Sequence, residues 1–138
     1  FQLTKLKCLI SVGKSLFYQI GGHTEINRLA NRFYDVMERD LLARTVLQMH
    51  PDDLTRSRKR LENYLCEWFG GPKLFGEQYV NPDWLKLRHK HLNIGLDERD
   101  QWLYCMKTAM QELNYDQQLQ HDLNARFYEL AGYLRVRV

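Results

Sequence analysis

No two of the three cysteines, Cys8, Cys66 and Cys105, stand as C-x-x-C. Odd in number and far apart, they suggest neither a zinc site nor a disulfide framework, and free thiols fit a reducing cytoplasm. Three prolines and eight glycines are too few for collagen-like or low-complexity chains, and they disfavour a many-turned all-β fold. No charge-free apolar stretch approaches the ~18–20 residues that a transmembrane helix needs. Charge of one sign is missing too: 20 Lys+Arg face 17 Asp+Glu, a net charge of +3. That balance permits an anionic partner without calling for nucleic acid. G-x-S-x-G, G-x-x-x-x-G-K and G-x-G-x-x-G are all absent, which removes the usual signatures of serine hydrolases, P-loop enzymes and dinucleotide-binding folds. The start, Phe1 to Ile10, is weakly amphipathic with no uninterrupted apolar core and no small-residue cleavage site, so no signal peptide is expected there. It begins without Met, as a trimmed or expressed fragment does.

What remains is helical. A chain of 138 residues suffices for one core, and no stretch alternates over five or more residues as a half-buried strand would. After Gly21-Gly22, Thr24 is positioned to cap a helix carrying Ile26, Leu29, Ala30, Phe33, Tyr34 and Met37. Residues 41–48 read as a short helix stopping at Met49-His50-Pro51. Asp52-Asp53 open a longer one, with Leu54, Leu61, Leu65, Trp68 and Phe69 on its buried face and Gly70-Gly71-Pro72 at its end. Residues 73–81 read as a loop, and Asn81-Pro82 restart a short helix bearing Trp84, Leu85, Arg88 and His89. Asp97 to Asp100 open the next helix, facing inward with Trp102, Met106, Ala109 and Leu113. Asp116 starts the last, with Leu119, Leu123, Phe127, Leu130 and Leu134. The expected class is all-α, with roughly six unequal helices.

Several residues admit two readings. His89 and His91 are either an exposed pair on a basic helix or include one axial metal ligand. Two positions apart, they do not share a helix face, which disfavours a paired zinc site. One histidine is enough for haem iron, because the porphyrin supplies four nitrogens. His50 is either a solvated turn residue or a pocket group. Trp102 and Tyr34 lie on apolar faces as core aromatics do, yet a buried N–H or O–H needs an acceptor, and a bound oxygen ligand would be one. The basic run Arg56-Ser57-Arg58-Lys59-Arg60 points in several directions, as a solvated face with one or two anion contacts would.

Taken together, ordered segments resemble the truncated haemoglobins of the second group, the O class. They are Gly21-Gly22, Arg32-Phe33-Tyr34, His50-Pro51-Asp52-Asp53-Leu54, Trp68-Phe69-Gly70-Gly71-Pro72, Leu85-Lys86-Leu87-Arg88-His89 and Glu98 to Met106. The resemblance covers about residues 15–135. It sets residues 1–14 apart as an N-terminal extension and makes 15–138 the globin domain. It implies a truncated globin fold, a two-over-two helical sandwich around haem b. It puts the proximal histidine at His89 and the distal polar residues at Tyr34, His50 and Trp102. Ser57 takes the place where larger globins carry a distal histidine, and Leu61 lies one turn further on. Haem propionates would meet Arg60 and Arg88. Phe75 stands where relatives often have Tyr, and His91-Leu92 where they usually have Pro-Phe.

The implied ligands are O2, NO, CO or peroxide, with an unidentified reductase as electron donor. Two or three distal donors would slow O2 release, which favours NO dioxygenase or peroxidase-like chemistry, scavenging or sensing over simple O2 transport. The expected protein is a cytoplasmic monomer or weak dimer that binds neither nucleic acid nor membrane. The competing reading is a non-haem helical module that binds an anionic partner through residues 56–60.

Overall fold

The structure is a computed structural model and describes residues 15–72, 89 and 92–134 of the chain. Six α-helices and one 3-10 turn are delimited among these residues, and no strand occurs among them. The helices are α1 (Leu16–Ile20), α2 (Gly22–Arg39), α3 (Arg44–Gln48), α4 (Thr55–Trp68), α5 (Leu96–Glu112) and α6 (Gln117–Leu134). The 3-10 turn, Leu41–Ala43, leads into α3. The all-α expectation holds. The expected loop at 73–81 and the helix restarting at Asn81-Pro82 lie outside the described residues, apart from His89, which is helical.

Three helix starts differ from their sequence reading, each for a local reason. Helix α1 has no counterpart in that reading, because five residues carry too little periodicity to register. It closes on Gly21 at φ +117°, and Gly22 follows at φ +77°. Glycine takes such angles without steric cost, so the chain turns directly into α2, and Thr24 lies inside the helix instead of capping it. Helix α4 begins at Thr55, not at Asp52-Asp53. The Asp53 carboxylate stands ahead of the first turn, accepting from the Thr55 N–H at 3.0 Å and the Thr55 hydroxyl at 2.7 Å. An acceptor placed before the helix satisfies donors that have no partner within it. Asp116 does the same for α6, accepting from the N–H groups of Gln118 and Leu119. Glu98 in α5 reaches back to the Gly95 N–H at 2.7 Å.

Helix α2 packs against α4 and α5, and α5 against α6. Phe33, Met37, Met106, Met110, Leu123 and Phe127 are fully buried at these contacts, each stabilising the fold by ~1.5–3 kcal/mol. At the end of α4, the Phe17 N–H donates to the Phe69 carbonyl at 2.9 Å. A side chain on Gly71 would meet the Phe17 ring at 2.4 Å, so this crossing needs glycine. Glu62 is buried yet remains the acid of a cluster that ties α4 to α2. His23, Asn27 (2.7 Å) and Lys59 (3.2 Å) all meet its carboxylate. Burial pushes its pKa up, but these partners outweigh burial and leave it below the usual value.

Candidate functional site

A cavity of about 810 Å³ opens among α2, α4, α5 and α6, within the ~300–1,000 Å³ span of small-molecule and cofactor sites. Helix α4 contributes Ser57, Arg60, Leu61 and Tyr64. Ser57, Leu61 and Tyr64 are spaced by four and three, so one helical face carries all three. Tyr34 enters from α2, Met49, His50 and Pro51 from the turn after α3, and Glu98, Arg99 and Trp102 from α5. Leu130, Ala131 and Leu134 of α6 join His89, Leu92 and Ile94 to complete the lining.

The polar groups here have few protein partners. Among the described residues, none accepts a hydrogen bond from the Trp102 indole N–H or the Tyr64 hydroxyl, and no carboxylate pairs with Arg60. The Trp102 ring is held by Phe33 at 5.1 Å and Phe127 at 5.7 Å between ring centroids. Tyr34 is 6% exposed, and burial pushes its phenol well above the usual tyrosine range, with Arg58 opposing and Cys105 adding to the rise. Burial likewise takes Tyr64 up to about 12, against the opposing charge of Arg126.

His50 has a defined tautomer when neutral. Its Nδ1 lies 2.9 Å from the Val46 carbonyl, which can only accept, so Nδ1 carries the proton. Nε2 is then a lone pair facing the Tyr34 hydroxyl across a long contact of 3.4 Å. Burial is the main cause holding the His50 pKa below its ordinary value. The Val46 carbonyl opposes that shift, and His89 adds to it.

Known proteins bear on this arrangement. The bacterial-like globin family matches residues 15–135. Group 2 truncated hemoglobin YjbI of Bacillus subtilis (strain 168) is 28% identical over 117 residues, 85% of this chain and 86% of that protein. Among solved structures, the cold-adapted truncated hemoglobin of Pseudoalteromonas haloplanktis TAC125 superposes with a TM-score of 0.82. It is 34% identical and covers 90% of this chain and 99% of its own. The group II 2-on-2 hemoglobin of Agrobacterium tumefaciens gives a TM-score of 0.81 and 32% identity, covering 90% and 95%.

The chain belongs to the group II truncated haemoglobins. Its fold is the truncated globin's two-over-two sandwich. As a truncated haemoglobin it is a haem-based binder of diatomic gases such as O2. The residues present fit that cofactor. A histidine and a polar aromatic set line one cavity, and among the described residues the indole N–H has no acceptor and Arg60 pairs with no carboxylate.

The structure brings His89, Tyr34, His50, Trp102, Ser57, Leu61 and Arg60 to this one cavity of the truncated haemoglobin. Arg88 and Phe75 lie outside the described residues. Sequence reasoning did not single out Tyr64 as a pocket residue. Carrying the Ser57–Leu61 face one more turn would have found it. Glu98 and Arg99 were read only as a helix start. The reading of residues 56–60 as a surface for an anionic partner is not favoured. Arg58 pairs with Asp35 and Glu38, and Lys59 with Glu62, so much of that charge is answered within the chain. No helix among the described residues is long and apolar enough to cross a membrane.

Proposed function

We propose that the cavity holds haem b with His89 as its protein ligand, that Trp102 and Tyr34 are the donors to a diatomic gas, and that His50 is the distal polar residue that acts on the gas through Tyr34. The observation that carries this reading is the convergence of all four on one cavity whose indole N–H has no acceptor among the described residues. When bound, haem supplies reversible gas binding and one-electron redox chemistry. Arg60 supports one propionate by its place on the lining, and Arg88 and Phe75 are further haem contacts on the family resemblance alone. Ser57 and Leu61 keep the α4 face of the pocket small and mostly apolar.

Donors held in a buried site favour retention of a partly anionic ligand, since each charge-assisted bond contributes ~1.5–3 kcal/mol. Slow release suits detoxification of NO or peroxide, scavenging or sensing better than O2 transport. The electron donor would be a separate reductase, and the protein a monomer or weak dimer. A cytoplasmic setting agrees with the free, buried thiols of Cys66 and Cys105. The 1–14 extension lies outside the described residues and carries no role in this proposal.

Titration of the purified protein with haemin tests the reading. A stoichiometric Soret band near ~410 nm is expected, a property of the porphyrin that no side chain can mimic. Failure to develop it would remove the haem assignment.

The His50 geometry adds a pH dependence. Neutral His50 accepts from the Tyr34 hydroxyl and so competes with the gas for that proton. Acid protonates Nε2, which can then no longer accept, and Tyr34 turns its O–H to the ligand. Because burial lowers the His50 pKa, the change falls below pH ~6.5. Release of O2 from the ferrous protein is expected to slow as pH drops through that region. Stopped-flow profiles of His50→Leu and Tyr34→Phe should both be flat, and a slope surviving in either would refute the coupling.

A further inference from the structure

Arg58 is a member of the basic run that the cavity does not use. It follows Ser57 on α4 but is not among the cavity-lining side chains. Its guanidinium grips α2 instead. One Nη1 donates to the Asn31 carbonyl at 2.8 Å and pairs with Asp35 at 2.9 Å, while Nη2 pairs with Glu38 at 2.7 Å. Asn31, Asp35 and Glu38 are spaced by four and three, a single stripe along the helix. Tyr34 belongs to the same turns, three residues after Asn31 and four before Glu38. The guanidinium carbon stands 5.9 Å from the centre of the Tyr34 ring.

Two consequences follow from that placement. A planar fork bonded to three successive positions fixes the α2 turn that carries Tyr34, in a way a single flexible cation would not. The Arg58 side chain is only 22% exposed and Tyr34 is nearly enclosed, so the cation acts on the phenol with weak solvent screening. Positive charge beside a phenol strengthens its O–H as a donor. The exposed carboxylates of Asp35 and Glu38 sit on the far ends of the fork and moderate this field without abolishing it, since Arg58 still draws the Tyr34 pKa down against burial.

We propose that Arg58 is a positioning residue for gas binding: clasped to Asn31, Asp35 and Glu38, it holds the Tyr34 hydroxyl in place and strengthens it as a donor to the ligand. The proposal rests on the haem reading of the cavity and on Tyr34 as a distal donor.

The test uses the haem-loaded protein as wild type, Tyr34→Phe, Arg58→Met, Arg58→Lys and the Arg58→Met/Tyr34→Phe double variant. The C–O stretch of the CO form reads the field at the ligand, which loss of an interhelical clasp alone would leave in place. Tyr34→Phe is expected to raise that frequency, and Arg58→Met to raise it part of the way. Arg58→Lys, which keeps the charge but not the fork, should recover only part of the wild-type value. Release of O2 should be ~3–10-fold faster in Arg58→Met, the scale of one lost cation–ring contact in a partly desolvated site. In the Tyr34→Phe background, Arg58→Met should change neither reading.

A wild-type stretch in Arg58→Met, with Tyr34→Phe shifted, overturns the proposal and leaves the distal assignment standing. An equal shift in both backgrounds overturns it as well, because the effect then bypasses Tyr34. No shift in Tyr34→Phe removes the distal assignment and the proposal together. Should Arg58→Met fail to fold, Arg58→Gln carries the same comparison.

Discussion

His89→Ala is expected to release haem, or to bind it so loosely that added imidazole restores the Soret band. Haem iron receives four nitrogens from the porphyrin and needs one from the protein. His89 lines the cavity and is half-buried. Among the described histidines, His50 is the other one that lines it, and its Nδ1 is committed to the Val46 carbonyl while Nε2 faces Tyr34. Truncating His89 therefore removes an imidazole whose role His50, held by these contacts, is not placed to take over. Imidazole in solution supplies the same donor atom in the space the side chain leaves, so rescue distinguishes a lost ligand from a lost fold. His91→Ala should keep its haem. The reverse outcome, haem lost in His91→Ala and kept in His89→Ala, would move the ligand two positions along the chain.

Trp102→Phe is expected to raise the O2 dissociation rate by roughly 10–100-fold, the effect of a lost donor contribution of ~1.4–2.7 kcal/mol. The indole is clamped between Phe33 and Phe127, and its N–H has no acceptor among the described residues. A donor already fixed in place and unspent on the protein gives its full strength to an arriving ligand. Tyr34→Phe should have a smaller effect, because its hydroxyl has a second acceptor in His50 Nε2 at 3.4 Å. Phenylalanine preserves both ring contacts of Trp102 in kind, so the comparison isolates the N–H. Stopped-flow release from the two ferrous variants decides the ranking. A wild-type rate in Trp102→Phe would leave Trp102 as packing alone.

The long helices were legible from residue order because their cores repeat. Ile26, Leu29, Phe33 and Met37 mark α2, and Leu123 and Phe127 mark α6, at spacings that put them on one side of a helix. All are fully buried. Helix boundaries were less legible. Asp53 and Asp116 both precede their helices, yet aspartate is favourable within a first turn as well as before it, and only the hydrogen bonds to Thr55, Gln118 and Leu119 separate the two uses. Helix α1 stayed hidden because five residues show no period, and two positive-φ glycines replace the expected cap.

The family, and with it haem, could be read from the ordered motifs, since a family signature survives in sequence even where no single residue is decisive. Periodicity alone placed Tyr34 and Trp102 only on apolar faces, where most aromatics are simply core. Which side chains share a cavity is a long-range property. Tyr34, His50, Ser57, His89 and Trp102 come from five separate stretches of chain, and only packing of α2, α4, α5 and α6 brings them to one space. Tertiary structure also decided the basic run. Four cations that look alike in sequence divide once folded: Arg58 is bound to α2, Lys59 to Glu62, and Arg60 borders the cavity, while Arg56 is exposed. Charge follows from composition, but the partner of each charge depends on which helix lies opposite, and that is settled only when the core packs.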